Sequence, residues 1–136
     1  MVEQPGTDEA PRPVNVILRD YRFAPTPLVL VRGETVRFEL INGGLVPHEF
    51  VLGDASVQRA WAGAHAAATP PVPFATAPPA SVPPDIAGTR VLLGSGAAAS
   101  LDFRVPVDGV LELVCHLPGH VAEGMVGTVV LQERPR

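Results

Sequence analysis

The chain has 136 residues, 46% of them hydrophobic, which suits one domain with a core of ordinary size. Its formal net charge is -4 and its arginines form no cluster, so a nucleic-acid partner is not expected, because a phosphate backbone needs a basic surface. No apolar run approaches the roughly 18 to 20 residues that a membrane-spanning helix needs.

Residues 1–13 are polar and rich in proline, and they lack the apolar region and basic start of a signal peptide. We interpret them as a disordered tail, or as a linker that follows a leader or membrane anchor, and the sequence leaves both interpretations open. Residues 14–136 are expected to form a single domain.

From residue 14 onward the chain is predicted to form short strands separated by turn residues. In Thr35–Asn42 and in residues 100–106, apolar and charged residues alternate, the period of two expected when one face of a strand lies on a core. About seven or eight such strands predict an all-β fold, a Greek-key β-sandwich. The other predicted strands cover residues 14–22, 27–31, 48–53, 110–116 and 125–132.

Residues 54–88 are expected to interrupt the sandwich. Residues 54–68 are rich in alanine and begin with Asp54, a good helix N-cap, so a short helix is predicted there. His65 on this helix is interpreted as a surface histidine, with a second, weaker metal site as the alternative. Residues 69–84 are too rich in proline for a central strand, so we expect an inserted loop; a ligand for a proline-binding domain is the alternative.

Residues with metal-binding side chains lie near the ends of two predicted strands. Because side chains alternate between the two faces of a strand, Cys115 is expected to point toward the core and His116 away from it. In His48–Gly53 the same period turns His48 inward and Glu49 outward. Two further candidates, His120 and Met125, follow on the loop after Cys115.

Each of these side chains alone has an ordinary explanation, such as a buried cysteine or a methionine that fills a gap in the core. Together, one thiolate, two imidazoles and one thioether form the set that is typical of blue-copper electron-transfer sites. A structural zinc site is less favoured, because structural zinc prefers several thiolates. An inward-facing Cys115 also argues against a nucleophilic cysteine enzyme.

The segments PHEFV and CHLPGHVAEGMVGTVVL resemble the cupredoxin family, and the spacing Cys-x4-His-x4-Met is most similar to rusticyanin and auracyanin. The resemblance implies that His48, Cys115, His120 and Met125 bind one copper ion that cycles between Cu(I) and Cu(II). It also implies a monomeric one-electron carrier, not an enzyme, that works with transient redox partners outside the cytoplasm. Copper delivery, buffering or resistance without electron transfer is the alternative.

Many cupredoxins carry an asparagine directly after the first histidine ligand, where it ties the two ligand-bearing segments together. Glu49 and His116 stand at the corresponding positions here, and a hydrogen bond between carboxylate and imidazole is expected to replace that clamp. Solvated surface positions for both residues are the alternative. Redox partners are expected to dock on an apolar patch around the ring edge of His120, formed by Leu45, Val46, Leu117, Pro118 and Val121.

Overall fold

The computed structural model describes residues 1–68, 80–121 and 123–135. Within these ranges it contains ten strands, one α-helix and one short 3-10 helix, arranged as the predicted β-sandwich. The elements are β1 (Arg12–Arg19), β2 (Arg22–Ala24), β3 (Leu28–Val31), β4 (Thr35–Asn42), β5 (His48–Gly53), α1 (Ala55–Ala68), the 3-10 helix (Pro84–Ile86), β6 (Thr89–Leu93), β7 (Ala98–Arg104), β8 (Glu112–Val114), β9 (Val126–Gly127) and β10 (Val129–Gln132).

The sheet order brings the two halves of the candidate site together. One sheet has the order β2-β1-β4-β7, the second has the order β6-β5-β8-β9, and β3 pairs with β10. In the second sheet β5 and β8 are antiparallel neighbours, with Val51 opposite Val114 and Leu52 opposite Leu113. Because antiparallel strands run in opposite directions, the start of β5 lies beside the residues that follow β8.

The core lies between the sheets and follows the alternation seen in the sequence. In β4 the buried residues include Val36, Phe38 and Leu40, while Arg37 and Glu39 are exposed. The ring of Phe38 packs edge-on against that of Phe50 in β5, with 5.3 Å between the ring centroids. The period-two prediction for β4 is therefore confirmed, and this packing supports the strand that carries His48.

The observed strands differ from the predicted ones chiefly in three places. The single strand expected over residues 14–22 is the hairpin of β1 and β2, whose turn contains Tyr21 at a φ of 66°. The strand expected over residues 125–132 is divided into β9 and β10, and β6 was not predicted at all. The hairpin escaped prediction because its turn contains neither glycine nor proline, the residues that normally mark a left-handed conformation or a chain reversal.

The N-terminal segment, expected as a tail or linker, lies against the sandwich. The backbone N–H of Val2 donates to the Gln132 side chain at 2.9 Å, and the Gln132 side chain donates to the Val2 carbonyl at 2.8 Å. Gly6 is buried, and its carbonyl accepts a hydrogen bond from the Thr35 backbone at 3.1 Å. β1 begins at Arg12, two residues before the predicted start of the domain.

The predicted helix is present, and it covers the outer face of the second sheet. Asp54 caps α1, since its carboxylate accepts a hydrogen bond from the Val57 backbone at 3.0 Å. The buried Gln58 side chain donates to the carbonyls of Val51 and Glu112, at 3.0 and 2.9 Å, and so ties α1 to β5 and β8. Every residue of β5 is consequently buried.

Part of the predicted insertion cannot be compared with the structure, because residues 69–79 of the proline-rich loop lie outside the described residues. Among the described residues, no helix has both the length and the apolar character needed to cross a membrane.

Candidate metal centre

Three side chains with metal-binding atoms converge at one end of the sandwich. His48 begins β5, whereas Cys115 and His120 lie on the loop after β8. His48 Nδ1 is 3.3 Å from His120 Nδ1, and Cys115 Sγ is 3.4 Å from the same atom. The three donor atoms all lie within 4.8 Å of one another. These spacings are short enough for a single ion to contact all three.

The loop from Cys115 to Met125 is fixed by hydrogen bonds between its own backbone groups. The Cys115 N–H donates to the Met125 carbonyl at 3.1 Å, and the Met125 N–H donates to the His120 carbonyl at 3.0 Å. Gly119 and Gly124 have φ angles of 83° and 91°, a conformation that favours glycine. Met125 is fully buried at the end of this loop, so its thioether is shielded from solvent.

The Cys115 thiol is shielded from water. Its relative exposure is 0%, and Sγ accepts a hydrogen bond from the Glu49 backbone N–H at 3.3 Å. Burial raises the pKa of the Cys115 thiol, although the backbone N–H groups of Leu117 and Glu49 act in the opposite direction. A metal ion must therefore displace a proton when it binds to this sulfur.

The donor set suits a soft transition metal. Burial, followed by the charge of His48, lowers the pKa of His120, so its imidazole is neutral at physiological pH and offers a lone pair. One thiol, two imidazoles and a buried thioether are the donors expected of a copper site, and hard cations that prefer oxygen ligands would find no carboxylate among them.

Glu49 is buried, so the alternative in which it is a solvated surface residue is wrong. Its Oε1 accepts a hydrogen bond from the backbone N–H of His116 at 3.1 Å. The expected carboxylate–imidazole bond is not what joins the two residues, since His116 Nε2 instead contacts Gln58 Oε1 at 2.7 Å. The two segments that carry the candidate donors are thus clamped through a carboxylate and a backbone amide.

The second oxygen of Glu49 binds residues that the sequence analysis did not connect with the site. Glu49 Oε2 lies 2.9 Å from His65 Nε2 and 2.7 Å from Arg90 Nη2. The Arg90 guanidinium in turn stacks over Trp61, 4.5 Å from the ring centroid. His65 is therefore an interior partner of Glu49, with a side chain only 11% exposed, and not the predicted surface histidine.

Sequence reasoning missed this cluster because it depends on how α1 and β6 pack on β5. One signal was available: Gln58, Trp61 and His65 are spaced three and four residues apart, so they lie on one face of α1. That spacing indicates a single helix face with polar groups, but it does not identify the strand that the face covers.

The hairpin between β1 and β2 contributes two further residues beside the donors. Asp20 Oδ1 lies 2.8 Å from His48 Nε2, on the side of the ring opposite the site. The Tyr21 ring packs edge-on against His120, with 5.2 Å between the ring centroids. The hydrogen bonds from His48 and from the Leu45 backbone hold the pKa of Asp20 below its usual range. No sequence pattern marked either residue.

The predicted docking patch borders the same end of the sandwich. Leu45 is 87% exposed and Val121 is 46% exposed. Pro118 is also exposed, whereas Val46 and Leu117 are half-buried. His120 is half-buried and lies closer to the surface than the fully buried His48.

No family model matches the chain. Two curated relatives are copper-resistant cuproproteins CopI: that of Rubrivivax gelatinosus is 37% identical over 125 residues, covering 91% of this chain and 68% of the relative. That of Pseudomonas aeruginosa is 30% identical over 141 residues, covering 91% and 78%.

Auracyanins are similar in sequence and in structure. Auracyanin-B of Chloroflexus aurantiacus is 32% identical over 111 residues, which cover 80% of this chain and 46% of that protein. A solved structure of auracyanin B has a TM-score of 0.63 and 27% identity, and the match covers 98% of this chain and 100% of the other. Together with the Cys-x4-His-x4-Met loop and the three convergent donors, these similarities show that the chain belongs to the cupredoxin family of blue-copper proteins.

Proposed function

We propose that this cupredoxin binds one copper ion through His48, Cys115, His120 and Met125 and carries single electrons between redox partners. The observation that supports this most strongly is the convergence of Cys115 Sγ with two imidazole nitrogens within 4.8 Å, around a thiol that water does not reach. A bound copper ion would supply the one-electron couple between Cu(I) and Cu(II).

The rigidity of the donors favours electron transfer. His48 stands on a strand that is buried along its whole length, and Cys115 is held by the Met125 carbonyl and by the Glu49 N–H. Donors held in this way keep nearly the same positions in both oxidation states of a metal. A small structural change between the two states keeps the barrier to electron transfer low.

The position of His120 supports contact with partners. It is the donor nearest the surface, and Leu117, Pro118 and Val121 of the predicted patch lie on the same loop. Because this patch is small, the encounters are expected to be transient, as is usual for redox proteins. We infer that the protein acts as a monomer and meets other redox proteins through this patch, without catalysing a reaction of its own.

Copper handling is a second candidate, because two relatives carry the name copper-resistant cuproprotein. A protein of that kind would buffer or deliver copper and would not need to pass electrons. The buried thiol argues for the carrier, since a metal held by a fully buried sulfur exchanges less readily than one at an exposed site.

Electron self-exchange and copper exchange distinguish the two functions. In mixtures of the reduced and oxidised copper protein, NMR line broadening measures the first rate, and transfer of copper to an added chelator measures the second. The carrier is expected to show fast self-exchange while retaining its copper for hours. Rapid loss of copper to the chelator, together with slow self-exchange, would instead support copper handling.

We also infer that the protein works outside the cytoplasm, in the periplasm or as a secreted or membrane-tethered protein. The reason is chemical: a site that must acquire free copper needs a compartment where the metal is available, and free copper is scarce in cytoplasm. Fractionation of cells that express the full natural gene, followed by detection of this protein, tests the inference. Recovery in the cytoplasmic fraction alone would contradict it.

A further inference from the structure

We propose that Asp20 is a positioning residue for the copper site, which orients His48 and increases the electron donation of its imidazole to copper. This inference rests on the function proposed above and extends it to a residue outside the predicted ligand set. It starts from the hairpin between β1 and β2, where Asp20 lies directly beside the histidine that begins β5.

The two nitrogens of His48 face different groups. Nδ1 faces His120 Nδ1 at 3.3 Å, and Nε2 lies 2.8 Å from Asp20 Oδ1. A carboxylate only accepts hydrogen bonds, so the contact requires a proton on His48 Nε2. The neutral ring then has its lone pair on Nδ1, where it points toward Cys115 and His120. Asp20 therefore selects the tautomer that can bind a metal at this site.

Asp20 is itself held in place. The Leu45 backbone N–H donates to both carboxylate oxygens, at 3.0 and 3.1 Å, and the Val46 N–H approaches Oδ1 at 3.4 Å. Both amides belong to the loop that leads directly into His48. The Asp20 carboxylate thus fixes both the His48 ring and the loop that precedes it.

The neighbouring backbone leaves space for this pair. A Cβ added to Gly44 would lie 2.8 Å from His48 Nε2 and would overlap Asp20 Oδ1. Any side chain at position 44 would therefore push the carboxylate and the imidazole apart. The His48 side chain is fully buried, whereas that of Asp20 is 34% exposed, so Asp20 is the group between the buried ring and solvent.

A negative charge behind a histidine ligand strengthens its donation to the metal, and groups of this kind typically change metal affinity by about 10- to 100-fold. Cu(II), the more highly charged ion, gains more from this donation than Cu(I). Loss of the Asp20 charge is therefore expected to weaken Cu(II) binding more than Cu(I) binding. For a one-electron couple, each tenfold increase in the ratio of the Cu(II) to the Cu(I) dissociation constant raises the reduction potential by about 59 mV.

The test compares Asp20→Asn and Asp20→Ala with Asp108→Asn, which removes the same charge from an exposed turn position. We expect Asp20→Asn to lose Cu(II) affinity about tenfold and Asp20→Ala more, approaching about 100-fold, with the reduction potential rising in both. Asp108→Asn is expected to match the parent protein. If both Asp20 variants keep the Cu(II) affinity and the reduction potential of Asp108→Asn, even with a lower unfolding temperature, Asp20 only stabilises the loop before His48. The proposal is then overturned.

A second measurement needs no variant. In NMR spectra of the Cu(I)-loaded parent protein, we expect a slowly exchanging proton on His48 Nε2; a proton on Nδ1 would overturn the proposal. The parent protein also separates this inference from the proposed function. Absence of thiolate-to-copper absorption in the parent defeats both proposals, whereas a normal parent spectrum with unaltered Asp20 variants defeats only this one.

Discussion

Replacement of Glu49 by glutamine tests the clamp between the two donor-bearing segments. The fully buried carboxylate accepts hydrogen bonds from the His116 backbone at 3.1 Å and from His65 Nε2 at 2.9 Å, and it forms an ion pair with Arg90 at 2.7 Å. Glutamine has nearly the same shape, but one acceptor oxygen becomes an NH2 donor. That donor would face either the His116 N–H or the Arg90 guanidinium, which are donors themselves.

The expected loss of unfolding free energy follows from the ion pair between Glu49 and Arg90. Removal of one partner from a buried ion pair costs about 3–5 kcal/mol, because the other charge stays behind. The Arg90 side chain is 23% exposed, so water can partly solvate it and the lower end, about 3 kcal/mol, is expected. For a chain of this length, that loss lowers the unfolding temperature by roughly 10 °C.

Urea unfolding of the copper-free protein measures this loss, with Glu39→Gln on the exposed face of β4 as the matched control. The same variant is expected to shift the reduction potential or weaken copper retention, because the Glu49 backbone N–H donates to Cys115 Sγ. The reasoning is refuted if Glu49→Gln unfolds like Glu39→Gln and keeps the parental potential and copper retention.

Three further predictions concern pH, the thioether and the surface. Burial raises the pKa of Glu34, but Arg12 and the N–H groups of Gly6 and Val31 outweigh it, so the pKa lies below 4.5. Glu34 thus contributes stability that is present above about pH 4.5 and is lost as the pH falls through its lower folded value. Urea unfolding should give Glu34→Gln a lower free energy of unfolding than the parent protein, by a difference that shrinks on acidification. A difference independent of pH would contradict this. Met125→Leu, a swap of similar volume, is expected to keep the charge-transfer band and raise the potential, since a weak donor to Cu(II) is lost; voltammetry that gives the parental potential would count against Met125 as a ligand. Leu45→Asp is expected to slow electron transfer to a protein partner while leaving the potential unchanged, and stopped-flow rates equal to those of the parent would remove Leu45 from the docking patch.

Local sequence patterns predicted the parts of the fold that local physics determines. The alternation in Thr35–Asn42 placed β4 correctly, and Asp54 marked the start of α1. The spacing of Cys115 and His120, together with the inward direction of His48, led to the three donors that the structure brings together. These features depend on residues close together in the chain.

The features that were missed depend on contacts between distant segments. Whether Glu49 faces water or the interior is decided by α1, which packs against β5. The contact between Asp20 and His48 requires a hairpin whose turn carries Tyr21 in a left-handed conformation. That turn contains neither glycine nor proline to signal it. The sequence alone therefore does not show whether a carboxylate such as that of Glu49 or Asp20 is buried, or which groups it contacts.

The most direct test of a copper site built on Cys115 is the visible spectrum of the protein during titration with Cu(II). An intense thiolate-to-copper charge-transfer band is expected to grow until one equivalent has been added and to bleach when ascorbate reduces the metal. Cys115→Ser should bind copper without that band. A parent protein that shows no such band, or a band that persists in Cys115→Ser, would contradict the account.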